Sequence, residues 1–554
     1  MIKALISLIL GISAILFPTK LMAAERIAFN LLPFGQFYIK IDDLETFVKK
    51  GEISDELAYY LNRLPPQQVQ RLPELLSTPL ELNPLTIAKF SNSTIGETVI
   101  ENFGKGIRTS TNRNGFFALR GAIIAAAFEA EGLTAMNLLR EFPLETIHID
   151  LKVLDQYIER GNNLLKNREL IEATFFSNTS NSNNFESSPN DFSIRGRYTW
   201  HKQTLTYNNP RRDRPGYFDL YLPPKNAASL IVISHGVASS RQTFSYLGEH
   251  LASHGFAVAI VEHDDISLNK FDGFLSGSER FPEPNNLIDQ PLDIKAVLDR
   301  LERETQTNNA LKNKINVRQT GIIGHSFGGY TSLALGGGQL KADSESAKCL
   351  VEDYQNVLLD LSSLAECTFN KLSEVDTRLK EPRIKAVMAI NPMAKIFKPT
   401  GMAEIDVPTM LISGTDDLMM PPMAEQIQPF SWLQPELEKY LVLVKPGTHF
   451  SFLREGLGVL PVPDTVVGIS PTFAYPVINS LSTIFFKVYL DRQLEYQKYL
   501  RSDYEVALSK DREFSFANSI IPKSYHLQLL PNNPFELSII RSISNTQLQK
   551  LFNN

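Results

Sequence analysis

"GIIGHSFGGY", residues 321–330, contains Gly324-His325-Ser326-Phe327-Gly328, a G-x-S-x-G pattern. So short a pattern recurs by chance in long chains, and its meaning rests on its flanks and on the residues downstream. Upstream, "TGII" reads as a buried strand; downstream, "YTSLALGGG" reads as a helix. A strand, a tight turn and a helix form the setting in which a serine occupies a strained backbone position with its hydroxyl lifted clear. Small residues at 324 and 328, helped by Gly329, let the helix pack close to the strand.

The same alternation extends outward from this turn. "SLIVIS" (229–234), "FAVAIVE" (256–262), "QTGIIG" (319–324), "IKAVMAIN" (384–391), "PTMLIS" (408–413) and "KYLVLV" (439–444) are nearly continuous apolar runs separated by helical segments. Strands of that kind are buried on both faces of a parallel sheet. The expected fold is a doubly wound, mostly parallel α/β sheet, whose chemistry sits at the carboxyl ends of its strands.

A serine hydroxyl is a weak nucleophile without a base. In this strand order an acid and then a histidine should come after the serine, each on a loop after a late strand. "LVLVKPGTHFSFL" places His449 directly after the run 439–444, and "PTMLISGTDDLMMPP" places Asp417 after the preceding run, with Asp416 as its rival. His526 is the other downstream histidine, with no strand before it. Asp417 would orient His449 and stabilise its imidazolium without taking the proton. Two backbone N–H groups should hold the oxyanion: Phe327, directly after the serine, and Val237, in the His235-Gly236-Val237 loop after the first strand.

His235 and His325 read as residues that shape their loops. His263 with Asp264 and Asp265 reads as a solvated strand-end loop rather than a metal site, since no second ligand cluster matches it. "GGG" at 336–338 lacks the Lys-Ser/Thr of a phosphate loop. No metal and no organic cofactor is expected.

The chain has 554 residues, 43% hydrophobic and 21% charged, the range of globular proteins with more than one domain. Its net charge of -6 argues against nucleic acid as a partner. Residues 1–24 read as a signal peptide: Lys3, an apolar run from Ala4 to Phe17, Pro18, and the small residues Ala23 and Ala24. The apolar run is about 14 residues, short of the roughly 20 that span a bilayer, so export to the periplasm or outside the cell is expected ahead of an uncleaved anchor. An oxidising compartment would permit a disulfide between the two cysteines, Cys349 and Cys367, against the reading of two buried thiols. The bridge would contribute about 3 kcal/mol in the chain-entropy model.

Residues 25–150 read as a small, mainly helical domain. Ser54 is a candidate N-cap, Pro65-Pro66 a stop, and "NGFFALRGAIIAAAFEAEG" a buried core helix. Residues 151–198 read as a connecting segment with the Ser/Asn-rich linker "FSNTSNSNNFESSPND". The catalytic domain is expected over 199–510 and a tail over 511–554. After His449, the stretch 456–477 carries one charge, Asp464, and several prolines and glycines. It reads either as a loop buried against the domain or as an apolar lip that would favour acyl chains or a membrane surface.

"ISHGVASSRQTFSYLGEHLASHGFAVAIVEH", "QPLDIKAVLDRLE", "GHSFGG", "GTDDLMMP" and "GTHFSF" resemble the platelet-activating-factor acetylhydrolase and dienelactone-hydrolase-like branch of the α/β-hydrolases, over roughly residues 200 to 500. The part from "ERIAFNLLPFGQFYIK" to "FPLETIHIDL" resembles a helical domain of unknown function fused to bacterial hydrolases. That resemblance implies no activity for the domain. The resemblance to the hydrolase branch implies Ser326 as nucleophile, Asp417 as acid and His449 as base, in an enzyme that cleaves carboxylic esters, including short-acyl esters of phospholipids. A small-molecule or lipid ester is therefore the expected partner. Residues 339–382 form a long insertion that leaves the substrate open. The rivals are a thioesterase or peptidase on the same three residues, and a cell-envelope binding protein in which they are vestigial.

Overall fold

Ser54 caps a helix where the sequence suggests: its Oγ accepts from the Leu57 N–H at 3.2 Å, and the helix runs Asp55–Leu61. That helix ends ahead of Pro65-Pro66, and Pro66 also opens the next helix, Pro66–Ser77. Its missing N–H costs nothing there, because the first turn leaves that donor unpaired. The Ala-rich helix Phe116–Ala127 buries Leu119, Ala122, Ala126 and Ala127, while Phe117 is 76% exposed. It is a one-faced helix rather than an enclosed one. These helices share a four-stranded sheet made by β1 (Arg26–Leu31), β2 (Gly35–Lys40), β3 (Ile107–Arg108) and β4 (Thr146–Ile149), in the order β2-β1-β4-β3. Such short strands give too little alternation to be read from the sequence. Ile41, Leu44, Phe47, Leu57, Ile100, Leu119 and Ile147 meet in a core of their own.

The computed structural model describes residues 23–31, 33–80, 82–176, 191–275, 285–307, 310–340, 379–454, 467–500 and 536–552. Most of the expected signal peptide, both cysteines, His526, most of the Ser/Asn-rich linker and residues 456–466 of the expected lip lie outside them. No helix among the described residues is long and apolar enough to cross a membrane. The chain divides into two compact units at Asn162 and Asn163, within helix α1 (Leu151–Phe175).

In the second unit the six apolar runs are six parallel strands: β7 (Ala228–Ser234), β8 (Ala257–Val261), β9 (Ile315–His325), β10 (Ile384–Ile390), β11 (Thr409–Gly414) and β12 (Lys439–Lys445). Three more strands pair antiparallel at the edges. They are β5 (His201–Tyr207), β6 (Gly216–Leu222) and β13 (Glu536–Ile540), giving the order β13-β12-β11-β10-β9-β7-β8-β6-β5. The segment read as a C-terminal tail thus supplies an edge strand.

Both faces are covered, as the apolar runs require. On one face Ile231, Ile233, Val258, Ile260, Ile323, Met388, Ile412 and Val442 pack with α2 (Ser245–Ser253) and α5 (Tyr475–Tyr489). Helices α3 (Asn286–Thr307) and α4 (Phe327–Leu335) pack together and against β9. The result is a doubly wound, mostly parallel α/β sheet with β9 at its centre.

Candidate active site

Ser326 sits between β9 and α4 with φ 56° and ψ -118°, outside the range that a residue with a side chain adopts readily. Its neighbours show why the turn tolerates only small residues. A Cβ on Gly324 would stand 1.9 Å from the Gly328 carbonyl oxygen, and one on Gly328 would stand 2.1 Å from the Ser234 carbonyl oxygen. Helix α4 therefore closes onto β7 and β9, and backbone bonds from Ser326 N–H to Ile390 and from Tyr330 N–H to Ser326 hold the turn at 2.9 and 3.1 Å.

Asp417 and His449 come from the loops after β11 and β12, and His449 Nδ1 lies 2.7 Å from Asp417 Oδ2. The other carboxylate oxygen, Oδ1, accepts from the Met419 and Met420 N–H groups at 2.8 Å each. Asp417 is 2% exposed, so this carboxylate is fixed by hydrogen bonds rather than by water. Asp416 turns the other way. Its Oδ1 meets Arg168 Nη1 of α1 at 2.7 Å, and burial raises its carboxyl above the ordinary carboxylate value. Its backbone N–H donates to the Gly447 carbonyl at 2.7 Å, tying the acid loop to the histidine loop.

Two residues tie these loops further. His325, read as loop-shaping, donates from Nε2 to the His449 carbonyl at 2.9 Å, and burial holds its ring well below the usual imidazole range. Asn391, at the end of β10, was not singled out by the sequence. It has φ 43°, donates to the Thr448 carbonyl at 3.2 Å, and accepts from the Gly414 N–H at 2.9 Å. A polar residue placed directly after a buried strand run was the signal available. Ser326 Oγ makes no hydrogen bond among the described residues, His449 included. Such a contact commonly closes only when substrate is bound.

Val237 lies on the loop after β7, and Phe327 opens α4 directly after Ser326. His263 departs from its expected solvated setting. It is fully buried, its Nε2 lies 2.9 Å from Ser234 Oγ and its Nδ1 lies 3.2 Å from Asp293 Oδ2. His263 is satisfied there by Asp293 on α3, which Arg212 reaches at 3.1 and 2.7 Å, while Asp264 and Asp265 stay partly exposed as expected. Among the described residues no group of three or more His, Cys, Asp or Glu is placed to hold a metal ion. The described part of the expected lip packs inward: Val467, Ile469 and Phe473 lie against the core, and Thr448 Oγ1 donates to the Val467 carbonyl at 2.6 Å.

Two family models match the chain. Residues 23–150 match "Alpha/beta hydrolase of unknown function (DUF1400)", and residues 198–274 match "Platelet-activating factor acetylhydrolase, isoform II". Together these matches support an α/β-hydrolase of the platelet-activating-factor acetylhydrolase-like branch. Among the relatives of this chain, the platelet-activating factor acetylhydrolase of Bos taurus is 32% identical over 150 residues, covering 21% of this chain and 34% of the bovine protein. That of Canis lupus familiaris is 29% identical over 208 residues, covering 31% and 44%. Cutinase est2 of Thermobifida alba is 28% identical over 121 residues, covering 21% and 33%. The chain thus spans less than half the length of these relatives.

Proposed function

We propose that the protein is a serine hydrolase of carboxylic esters in which Ser326 attacks the carbonyl carbon. The observation that carries this reading is the Asp417–His449 pair at 2.7 Å, on loops tied to the residue next to a strained Ser326. His449 Nε2 takes the serine proton as the tetrahedral intermediate forms and returns it to the leaving alcohol. Water then cleaves the acyl-enzyme with His449 again as base. The carboxylate of Asp417 keeps the His449 proton on Nδ1 and stabilises the imidazolium. The Val237 and Phe327 N–H groups donate to the oxyanion, each typically contributing about 3 kcal/mol in the transition state.

The relatives' names, platelet-activating factor acetylhydrolase and cutinase, favour an ester with a short acyl group or a lipid. Residues 1–24 would direct the enzyme out of the cytoplasm, where Cys349 and Cys367 would pair. Hydrolysis of p-nitrophenyl esters of increasing acyl length tests the reading. Turnover of at least one ester, lost in Ser326→Ala, is expected; equal turnover by that variant would refute it.

A further inference from the structure

The loop expected to hold the oxyanion begins one residue past Ser234, and its orientation is set by histidine rings. His235 Nδ1 lies 2.8 Å from the Gly236 carbonyl oxygen, which can only accept, so Nδ1 carries the ring proton. On the ring's other side the His263 backbone N–H donates to His235 Nε2 at 3.0 Å. That N–H requires a bare Nε2. Glu262 lies farther from the same nitrogen, at 3.6 Å, beyond hydrogen-bond reach. His235 is therefore held in one ring orientation, with Nδ1 donating and Nε2 accepting, and it is fully buried.

A trans peptide points its C=O and N–H in opposite directions. Holding the Gly236 oxygen on His235 consequently turns the Val237 N–H away from that ring. The Val237 N–H makes no hydrogen bond among the described residues, and Val237 is only half-buried. The next residue, Ala238, has φ 53° and donates to the Ile266 carbonyl at 2.7 Å, so the loop is pinned in a strained form on its far side too. The space is tight: a Cβ on Gly236 would stand 2.9 Å from Ser326 Cβ.

Behind His235 stands a closed chain of partners. His263 is held by Ser234 and Asp293, and Asp293 by Arg212 and by Asn209 Nδ2 at 2.8 Å. Both oxygens of that carboxylate are engaged. The His263 ring cannot swing, so its backbone N–H stays aimed at His235.

We infer that His235 is a positioning residue. Its Nδ1–H fixes the Gly236–Val237 peptide so that the Val237 N–H meets the oxyanion, and the Ser234–His263–Asp293–Arg212 chain fixes His235. This rests on the ester-hydrolase reading above, and the experiment separates the two. Asparagine places an amide nitrogen near the position of Nδ1, whereas glutamine places one near Nε2. His235→Gln should lower kcat on p-nitrophenyl acetate about a hundredfold, the effect of losing one oxyanion donor, with KM within a few-fold. A boronic acid, which mimics the tetrahedral state, should lose affinity by a similar factor. His235→Asn should recover most of both losses. Equal kcat for the two folded variants, or a change in KM alone, would overturn the inference.

Should either variant fail to fold, wild-type protein labelled with 15N-histidine supplies the answer. His235 should carry a proton on Nδ1 that donates to the Gly236 carbonyl, and a ring with its proton on Nε2 and a bare Nδ1 would overturn the inference. Fluorophosphonate labelling in the same samples reports on the underlying reading. A wild type that does not label at Ser326 sinks the hydrolase itself. A wild type that labels, with matched His235 variants, sinks only the role of His235.

Discussion

Among the described residues, two groups of serine, histidine and aspartate differ in how the serine hydroxyl is engaged. In the first, His449 is bound to Asp417 at 2.7 Å, while Ser326 stands on a strained turn with its hydroxyl unengaged. In the second, Ser234 Oγ is already spent on His263 at 2.9 Å, and His263 on Asp293 at 3.2 Å. Ser234 is an ordinary last residue of β7 and is fully buried, as are His263 and Asp293. Residue types and the histidine–aspartate bond are shared, and the serine–histidine bond is present in the second group alone. On the proposed function, the strained, unsatisfied hydroxyl is the one that reacts, whereas the satisfied one holds backbone in place.

The largest expected effect breaks this pairing directly. Ser326→Ala should reduce ester turnover on the order of a million-fold, as in other triads. Ser234→Ala should leave turnover within about tenfold, because it removes one neutral hydrogen bond of about 1 kcal/mol. Comparable losses in the two variants, with both folded, would erase the distinction.

The next effect concerns the aspartates. Asp417→Asn should cost about ten-thousandfold in kcat, since the amide favours the wrong histidine tautomer. Asp416→Asn leaves the His449 contact in place and should cost less than about tenfold. If Asp416→Asn is the more damaging, the acid has been misassigned.

Sealing has a consequence for stability as well. Burial holds His263 down to about 4 and His250, packed by Thr483, down to about 3. In the unfolded chain imidazole titrates near about 6.5. The unfolded state therefore binds these protons first. Their stabilising contribution is complete above about pH 6.5 and is lost as pH falls toward the folded values. Thermal unfolding monitored from pH 7 to 4.5 should show a falling midpoint, with a shallower fall in His250→Gln. A midpoint that rises on acidification would contradict the buried, neutral state of these rings.

The smallest effect is expected at the rim of the open set. Arg168→Gln removes the ion pair to Asp416, but Arg168 is 43% exposed, and such pairs contribute about 0–1 kcal/mol. A kcat change of a few-fold, restored in part by Arg168→Lys, is expected. A loss approaching that of Asp417→Asn would make α1 part of the catalytic apparatus.

The sequence was most readable where burial is continuous. The run "SLIVIS" and its five counterparts needed apolar residues on both faces, and each became a parallel strand. The edge strand "HKQTLTY" was not legible because only its last residue is buried and polar groups fill the rest. β13 was not legible because a strand of five residues takes its identity from pairing with β12, far away in the chain. The same contrast holds at the candidate site. Ser326, Asp417 and His449 are each announced by the strand before them. The roles of Asn391, His263 and Asp293 arise only when distant segments meet, so that spacing along the chain carried no sign of them.

The most direct test is where a fluorophosphonate reacts. After brief treatment of the folded protein and digestion, mass spectrometry should find the adduct on the peptide bearing Ser326, stoichiometric with lost esterase activity and absent in Ser326→Ala. An adduct on Ser234 or on another residue, or full inactivation with Ser326 unmodified, would contradict the account.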